Sequence, residues 1–254
     1  MSAPVKPDEI KKEGVADIRV ILSRRLERIL SMIRPGKLLA DIGTDHAYIP
    51  IAAVSEGLCS RALACDVVPG PLVHAGENIE TAGLSGRIAL RQGDGLQALH
   101  EERPDRIVIA GMGGPLIQRI LLEGEEKIGP DTQLILSPQS ELPEFRRFLW
   151  ENGYDIRREA MVMEDGKYYL ILDCVRKGEA GQKPPVSFEL RYGKGSDYLD
   201  RAEEAEIRRQ YIKKDLAVAE QILKQLENNA SEAAERRKSE LLEQVADAKA
   251  ALAE

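Results

Sequence analysis

The feature that most constrains this chain is a regular alternation of short apolar runs with helical patterns. The apolar runs cover residues 37–42, 61–68, 87–91, 105–110 and 132–137. Helical spacing fills 48–56, 72–82, 115–122 and 142–152 between and after them. Runs this short, bounded by turn residues, predict strands. Strands that alternate with helices imply right-handed crossovers, and so a parallel sheet covered by helices on both faces. The predicted class is α/β. An amphipathic helix over 18–33, with Ile18, Ile21, Leu22, Leu26, Ile29, Leu30 and Ile33 on its apolar face, precedes the first strand and stops at Pro35-Gly36.

After Asn152 the rhythm changes. Two strand-like runs, 154–163 and 168–175, are separated by Glu164-Asp165-Gly166-Lys167, and Asp-Gly between such runs predicts a hairpin. A mostly parallel sheet that ends in an antiparallel hairpin is the arrangement of class I, Rossmann-like methyltransferases. Residues 18–180 are therefore expected as one α/β domain, with 1–17 a disordered lead-in and 181–195 a linker. From 196 to 254 the chain has neither proline nor glycine. Ile207, Tyr211, Val218, Ile222 and Leu226 form one apolar series there, and Leu241, Val245, Ala248 and Leu252 a second. Asn228-Asn229-Ala230-Ser231 between them supplies a stop and an N-cap. This predicts a coiled-coil-like helical hairpin, with one long dimerising helix as the other reading.

Composition narrows the function classes. With 43% hydrophobic and 31% charged residues the chain suits a globular protein with a true core. The lysine-rich N-terminus has no apolar stretch of the secretory kind, and no run approaches the ~20 residues of a membrane span, so a cytoplasmic protein is expected. The three cysteines and three histidines are too scattered for a disulfide framework or a metal site. A net charge of −7 argues against a wholly basic nucleic-acid-binding surface, although local patches suffice to hold phosphates.

The chemistry is concentrated at the carboxyl ends of the first four strands. The segment Asp41-Ile-Gly43-Thr44-Asp45-His46-Ala-Tyr48 follows the first. A dinucleotide fingerprint G-x-G-x-x-G would need glycines at 43, 45 and 48, yet the chain has Gly43, Asp45 and Tyr48. Asp41 and Asp45 would repel a pyrophosphate, but they suit the cationic amino and sulfonium groups of S-adenosylmethionine. Asp66, followed by Val67, closes the second strand, where a carboxylate can accept from both ribose hydroxyls of an adenosine. Gly93-Asp94-Gly95 follows the third, with Asp94 placed to accept from an adenine amino group. Gly111-Met112-Gly113-Gly114 ends the fourth and opens the crevice edge; it lacks the Gly-Lys-Ser/Thr ending of a phosphate loop. Each segment alone also reads as an ordinary cap or turn. Together they describe one adenosine-shaped crevice.

Leu22-Ser-Arg-Arg-Leu26 and Leu39-Ala-Asp-Ile-Gly-Thr-Asp-His-Ala-Tyr-Ile-Pro50, with Asp66-Val-Val-Pro-Gly-Pro-Leu72, Gly93-Asp-Gly-Leu96, Ala110-Gly-Met-Gly-Gly114, Asn152-Gly-Tyr154 and Glu164-Asp-Gly-Lys-Tyr168, resemble the bacterial tRNA adenine-22 N1-methyltransferases, the TrmK family. The similarity spans about residues 18 to 195, and a helical C-terminal domain is also a family trait. Two positions depart from the family pattern: Thr44 stands where serine is usual, and Ser137-Pro-Gln139 where the fifth strand commonly ends Gln-Pro-Asn. The resemblance implies methylation of adenine N1 in tRNA. It makes Gln139 a candidate for holding the base, and His46 and Tyr48 candidates for contacting that base or the methionine part of the cofactor. Expected tRNA contacts are the basic clusters Arg24/Arg25/Arg28, Arg157/Arg158 and Arg208/Arg209/Lys213/Lys214. Aromatic residues are only 4%, too few for a single-strand stacking platform, so recognition of tRNA shape is expected. A small-molecule methyltransferase and a non-catalytic cofactor-binding scaffold with a partner-docking hairpin are the competing readings.

Overall fold

The computed structural model describes residues 21–177, 184–198, 201–227 and 229–254; the expected lead-in, 1–17, lies outside them. Helix α1 (Arg24–Met32) opens the described chain, and the Ser23 hydroxyl accepts from Leu26 N at its start. Five strands follow, β1 (Gly36–Ile42), β2 (Cys59–Asp66), β3 (Ile88–Gln92), β4 (Arg106–Met112) and β5 (Gln133–Pro138). They alternate with α2 (Tyr48–Ser55), α3 (Pro69–Thr81), α4 (Gly114–Glu123) and α5 (Leu142–Glu151). A hairpin of β6 (Tyr154–Glu164) and β7 (Lys167–Arg176) completes a seven-stranded sheet in the order β3-β2-β1-β4-β5-β7-β6. β1 to β5 are mutually parallel, and β7 runs antiparallel to both β5 and β6. Asp165 and Gly166 both have positive φ, the backbone of the tight turn that Asp-Gly predicts.

Successive strand residues feed two separate cores, which is why the parallel strands are apolar on both faces. Leu39, Ala62, Ala64 and Val108 pack with α1, α2 and α3. Ala40, Leu63, Ile107, Leu134 and Leu172 pack with α4 and α5 on the other side. Helix α2 is apolar nearly all round and buries six of its eight residues, as a helix wedged inside the fold must.

The C-terminal part is tied to the sheet more closely than the sequence suggests. The stretch expected as a linker carries α6 (Ser187–Tyr192), and a 3-10 turn, Gly195–Tyr198, follows it. Tyr192 and Tyr198 are fully buried. Helices α7 (Ala202–Leu226) and α8 (Glu232–Ala253) then pack side by side, joined by a turn in which Ser231 caps α8 through Ala234 N. The expected apolar face of α7 needs correction. Val218 is exposed, and the buried positions are Glu204, Arg208, Ile212 and Ala219. The seam is rotated because Ile212 must meet Tyr192, Ala248 and Ala251 in a small core of its own.

Each of the three predicted basic clusters has a member engaged within the fold. Arg28 is buried and paired with Glu204 at 2.6 Å, which joins α1 to α7. Arg208 is buried against the carbonyls of Tyr192 and Gly193, at 3.1 and 2.9 Å, and against Glu254. Arg158 donates to the Met32 carbonyl and to Asp173. The buried Arg28 and Arg208 hold the fold and are not available as phosphate contacts, whereas Arg158 is half-buried. Arg24, Arg157, Arg209, Lys213 and Lys214 are exposed.

Candidate active site

The crevice is assembled by backbone ties between neighbouring strand ends. Gly43 N and Thr44 N both donate to Cys65 O at 2.9 Å, and Gly93 N donates to Asp66 O at 3.0 Å. Gln139 N donates to Met112 O at 3.0 Å, and Gly114 N to Ser140 Oγ at 3.3 Å. The carboxyl ends of β1 to β5 are thereby held in one row. Gly43 has φ +75°, a backbone that strains any other residue, and a Cβ there would meet Met112 Cε at 2.5 Å and push the flexible methionine tip aside. At β4 the pairing steps from Ala110–Ser137 to Met112–Pro138, which leaves Gly111 as the extra residue of a bulge with φ +83°. Bulges of this kind re-aim a strand end beside a site.

Asp41 is the electrostatic centre. Its side chain is buried at the end of β1 and accepts from the Thr44 hydroxyl at 2.7 Å. Burial, the largest cause, pushes its carboxyl up to about 6; the charges of Asp66 and Asp45 add to the shift, and the Thr44 hydrogen bond opposes it. Two more acids lie nearby, and no cation is paired with Asp41 among the described residues. Asp66 uses Oδ1 to accept from Val68 N at 2.7 Å, and its other oxygen has no partner among the described residues. The Val67 side chain is exposed beside it. Asp94 is engaged: Arg119 donates to both of its oxygens, at 2.9 and 3.1 Å, and this hydrogen bonding holds its carboxyl below the usual range. An adenine amino group would share that carboxylate with Arg119.

Beyond Thr44 the chain takes a strained path. His46 and Ala47 have φ of 59° and 56°, unusual for residues with side chains, and such conformations cluster at functional sites. The strain is held by Asn78 of α3, whose amide donates to the His46 carbonyl at 3.0 Å. The His46 ring stacks on Tyr48 with centroids 5.3 Å apart and planes 16° from parallel, and it lies 5.5 Å from His74. Its Nε2 is 3.2 Å from Asp45 Oδ1. Gln139 stands exposed at the end of β5. The structure thus brings His46, Tyr48, Asp41, Gly43, Thr44 and Asp45 together through one turn. Asn78, His74 and Arg119 escaped the sequence reading, because each reaches the site from a helix whose facing side no local pattern reveals. Replacing Asn78 with Ala should weaken cofactor binding about fivefold, the equivalent of one ordinary hydrogen bond, with little change in unfolding temperature. Calorimetric titration checks this, and unchanged affinity would mean that the turn needs no anchor.

A strand order of 3-2-1-4-5-7-6 with acids and glycines at the carboxyl ends of β1 to β4 defines a class I methyltransferase domain. Residues 22–172 match the model of the family described as "Methyltransferase domain". A curated Bacillus subtilis (strain 168) protein, tRNA (adenine(22)-N(1))-methyltransferase, is 40% identical over 151 residues. That match covers 59% of this chain and 63% of the relative, a little under two thirds of its length. The crystal structure of the B. subtilis m1A22 tRNA methyltransferase TrmK superposes with a TM-score of 0.80 at 31% identity, covering 91% of this chain and 99% of that one. A Streptococcus pneumoniae structure in complex with S-adenosyl-L-methionine gives 0.78 at 33% identity, covering 91% and 100%. The chain belongs to the methyltransferase-domain family and, within it, to the TrmK family.

Proposed function

We propose that this protein methylates N1 of adenine 22 in tRNA, with S-adenosylmethionine as the methyl donor. The observation that carries the reading is the buried, cation-seeking Asp41 beneath a glycine turn that has no phosphate cradle. The names of the B. subtilis relatives supply the substrate, and the S. pneumoniae complex supports the cofactor.

The residues present fit that cofactor. Asp41 would face its cationic methionine end, Gly43, Thr44 and Asp45 would line that end, and the second oxygen of Asp66 would take a ribose hydroxyl. Gly93, Asp94 and Gly95 would border the adenine, and Gly111, Met112 and Gly113 the transfer side. When bound, the cofactor supplies an electrophilic methyl group on a sulfonium. N1 of neutral adenine carries an in-plane lone pair, so no residue need remove a proton before attack. The protein's task is alignment, a proximity effect, and the exclusion of water. His46 and Tyr48, already stacked at the mouth, would flank the target base, and Gln139 would donate or accept at its edge. The product base is cationic, and the exposed Asp45 carboxylate beside His46 is suited to stabilise it. N1 is masked in paired or stacked RNA, so the nucleotide must be turned out into the crevice. Arg24, Arg157, Arg209, Lys213 and Lys214 are the exposed cations proposed to hold tRNA phosphates, and a tRNA substrate places the enzyme in the cytoplasm.

The decisive experiment is incubation with unmodified tRNA and labelled S-adenosylmethionine, followed by mapping of the modified nucleotide. The expected result is N1-methyladenosine at position 22. Label confined to another base would refute the position, and no label at all, with normal cofactor affinity, would refute the activity. Charge reversal at Arg209, Lys213 and Lys214 should raise KM for tRNA and flatten its salt dependence while leaving cofactor affinity intact.

A further inference from the structure

Arg25 stands apart from the other cations of its cluster. Its backbone N–H donates to Glu164 Oε1 at 3.2 Å, fastening the start of α1 to the end of the β6–β7 hairpin. Its guanidinium carbon lies 5.0 Å from the centroid of the Tyr169 ring, a cation–π contact. Nη1 comes within 3.6 Å of the position a Cβ on Gly111 would occupy. Gly111 is the bulged residue of β4, next to the Met112 whose Cε lies against Gly43. The side chain therefore reaches from α1 to the transfer side of the crevice.

Once there, it is incompletely satisfied. Nε and Nη1 are both shielded from solvent, and neither has a hydrogen-bond partner among the described residues. Arg28, one turn later, also has a shielded Nε without a hydrogen bond, but its charge is answered by Glu204, whose Oε1 lies 2.6 Å from that nitrogen. A guanidinium does not shed its proton, so buried donors without acceptors carry a standing desolvation cost until oxygens are brought to them. The tyrosine face holds the group in place without neutralising it. Gly111, lacking a side chain, leaves the approach from β4 unobstructed.

We infer that Arg25 is the oxyanion-binding residue of the crevice, donating from its shielded nitrogens to an anionic oxygen that arrives with a ligand. The inference rests on the methyl-transfer reading for the identity of that ligand, which brings two such groups to this place. One is the carboxylate of the cofactor's methionine end; the other is a phosphodiester flanking the target adenine. Both present the same chemistry to Arg25, and binding experiments separate them.

The test uses the full chain with Arg25→Gln and Arg25→Lys, each checked for wild-type unfolding temperature. Two titrations are read independently of turnover: S-adenosylhomocysteine against its decarboxylated analogue, and unmodified tRNA over a range of salt. If the oxyanion is the carboxylate, Arg25→Gln weakens S-adenosylhomocysteine about 10- to 100-fold and leaves the decarboxylated analogue unchanged. If it is a phosphodiester, the cofactor titrations stay constant, tRNA affinity falls, and the salt slope drops by about one. Arg25→Lys keeps the charge and should recover part of either loss, and it serves as the folded variant should glutamine unsettle α1. Both variants within twofold of wild type in both titrations would overturn the proposal and leave Arg25 a structural cation on Tyr169. Altered titrations in a protein that transfers no methyl to tRNA would instead count against the activity and spare the site.

Discussion

Replacing Asp41 with Asn is expected to make the cofactor-free protein more stable and the cofactor about 10- to 100-fold harder to bind. Both effects come from one buried carboxyl whose pKa is raised from 3.8 to about 6. For an acid raised on folding, the protonated form is the one the folded state prefers. Stability is therefore greatest below pH 3.8, falls as the pH climbs towards 6, and stays at its reduced level above. The shift of roughly two units corresponds to ~3 kcal/mol at neutral pH. Asparagine, which never ionises, should recover much of that, and its oxygen can still accept from Thr44. The bound cofactor reverses the preference, because its cationic end favours the ionised acid. In the wild type, affinity should thus be flat above pH 6 and decline about tenfold per pH unit below it. The variant should show no such inflection. Urea unfolding and calorimetric titration between pH 5 and 7.5 measure the two halves, and an asparagine variant that binds as tightly as wild type would sink the assignment.

The second large effect is expected far along the chain, at Glu159. This buried residue of β6 accepts from Arg146 Nε at 3.0 Å and Nη2 at 2.7 Å, and from the Tyr198 hydroxyl at 2.8 Å. Arg146 in turn donates to the carbonyls of Leu190 and Arg191 at the end of α6. Burial works against the Arg146 charge, but Glu159 outweighs it and holds the guanidinium above its ordinary range. Glu159→Ala would strand a buried guanidinium and a buried phenol together, at a cost of about 3–5 kcal/mol in urea unfolding. Replacing Arg146 and Glu159 together with methionine and leucine should cost less than either single loss, because no charge is then left unpaired. A Glu159→Ala protein within 1 kcal/mol of wild type would contradict the account. The same network bears on how the C-terminal helices can be studied. Removing residues 196–254 would take Tyr198 from Glu159 and Glu204 from Arg28, so truncation tests folding as much as tRNA binding. The exposed cations of α7 are the cleaner targets.

Much of the fold was legible because its signals are local. The strand spacing, the Asp165-Gly166 turn and the Ser231 cap each depend on residues within a few positions of one another, and the structure keeps all three. The turn after the first strand is compact for the same reason: Asp41, Gly43, Thr44 and Asp45 lie within one short segment, and the Asp41–Thr44 bond is made three residues apart. The misreadings were of partners, not of elements. Arg28 and Arg208 look like surface cations in a helical pattern, but Glu204 lies 176 residues from Arg28, and the carbonyls that hold Arg208 belong to the end of α6. The stripe of α7 was misjudged because the strongest apolar series on a helix need not be the one its neighbour covers.

The sequence by itself determined an α/β sheet with a terminal hairpin, a helical C-terminal part, and an acidic turn after the first strand that lacks the glycine pattern of a phosphate loop. Periodicity, turn chemistry and the sign of nearby charges are properties of neighbouring residues, so they can be read before the chain folds. Only the tertiary structure decided which charges are spent inside. It paired Arg28 and Arg208, engaged Asp94 with Arg119, braced the strained His46 turn with Asn78, and left Arg25 beside Gly111 with donors unanswered. Desolvation and pairing depend on what distant segments bring together, and no local pattern encodes that.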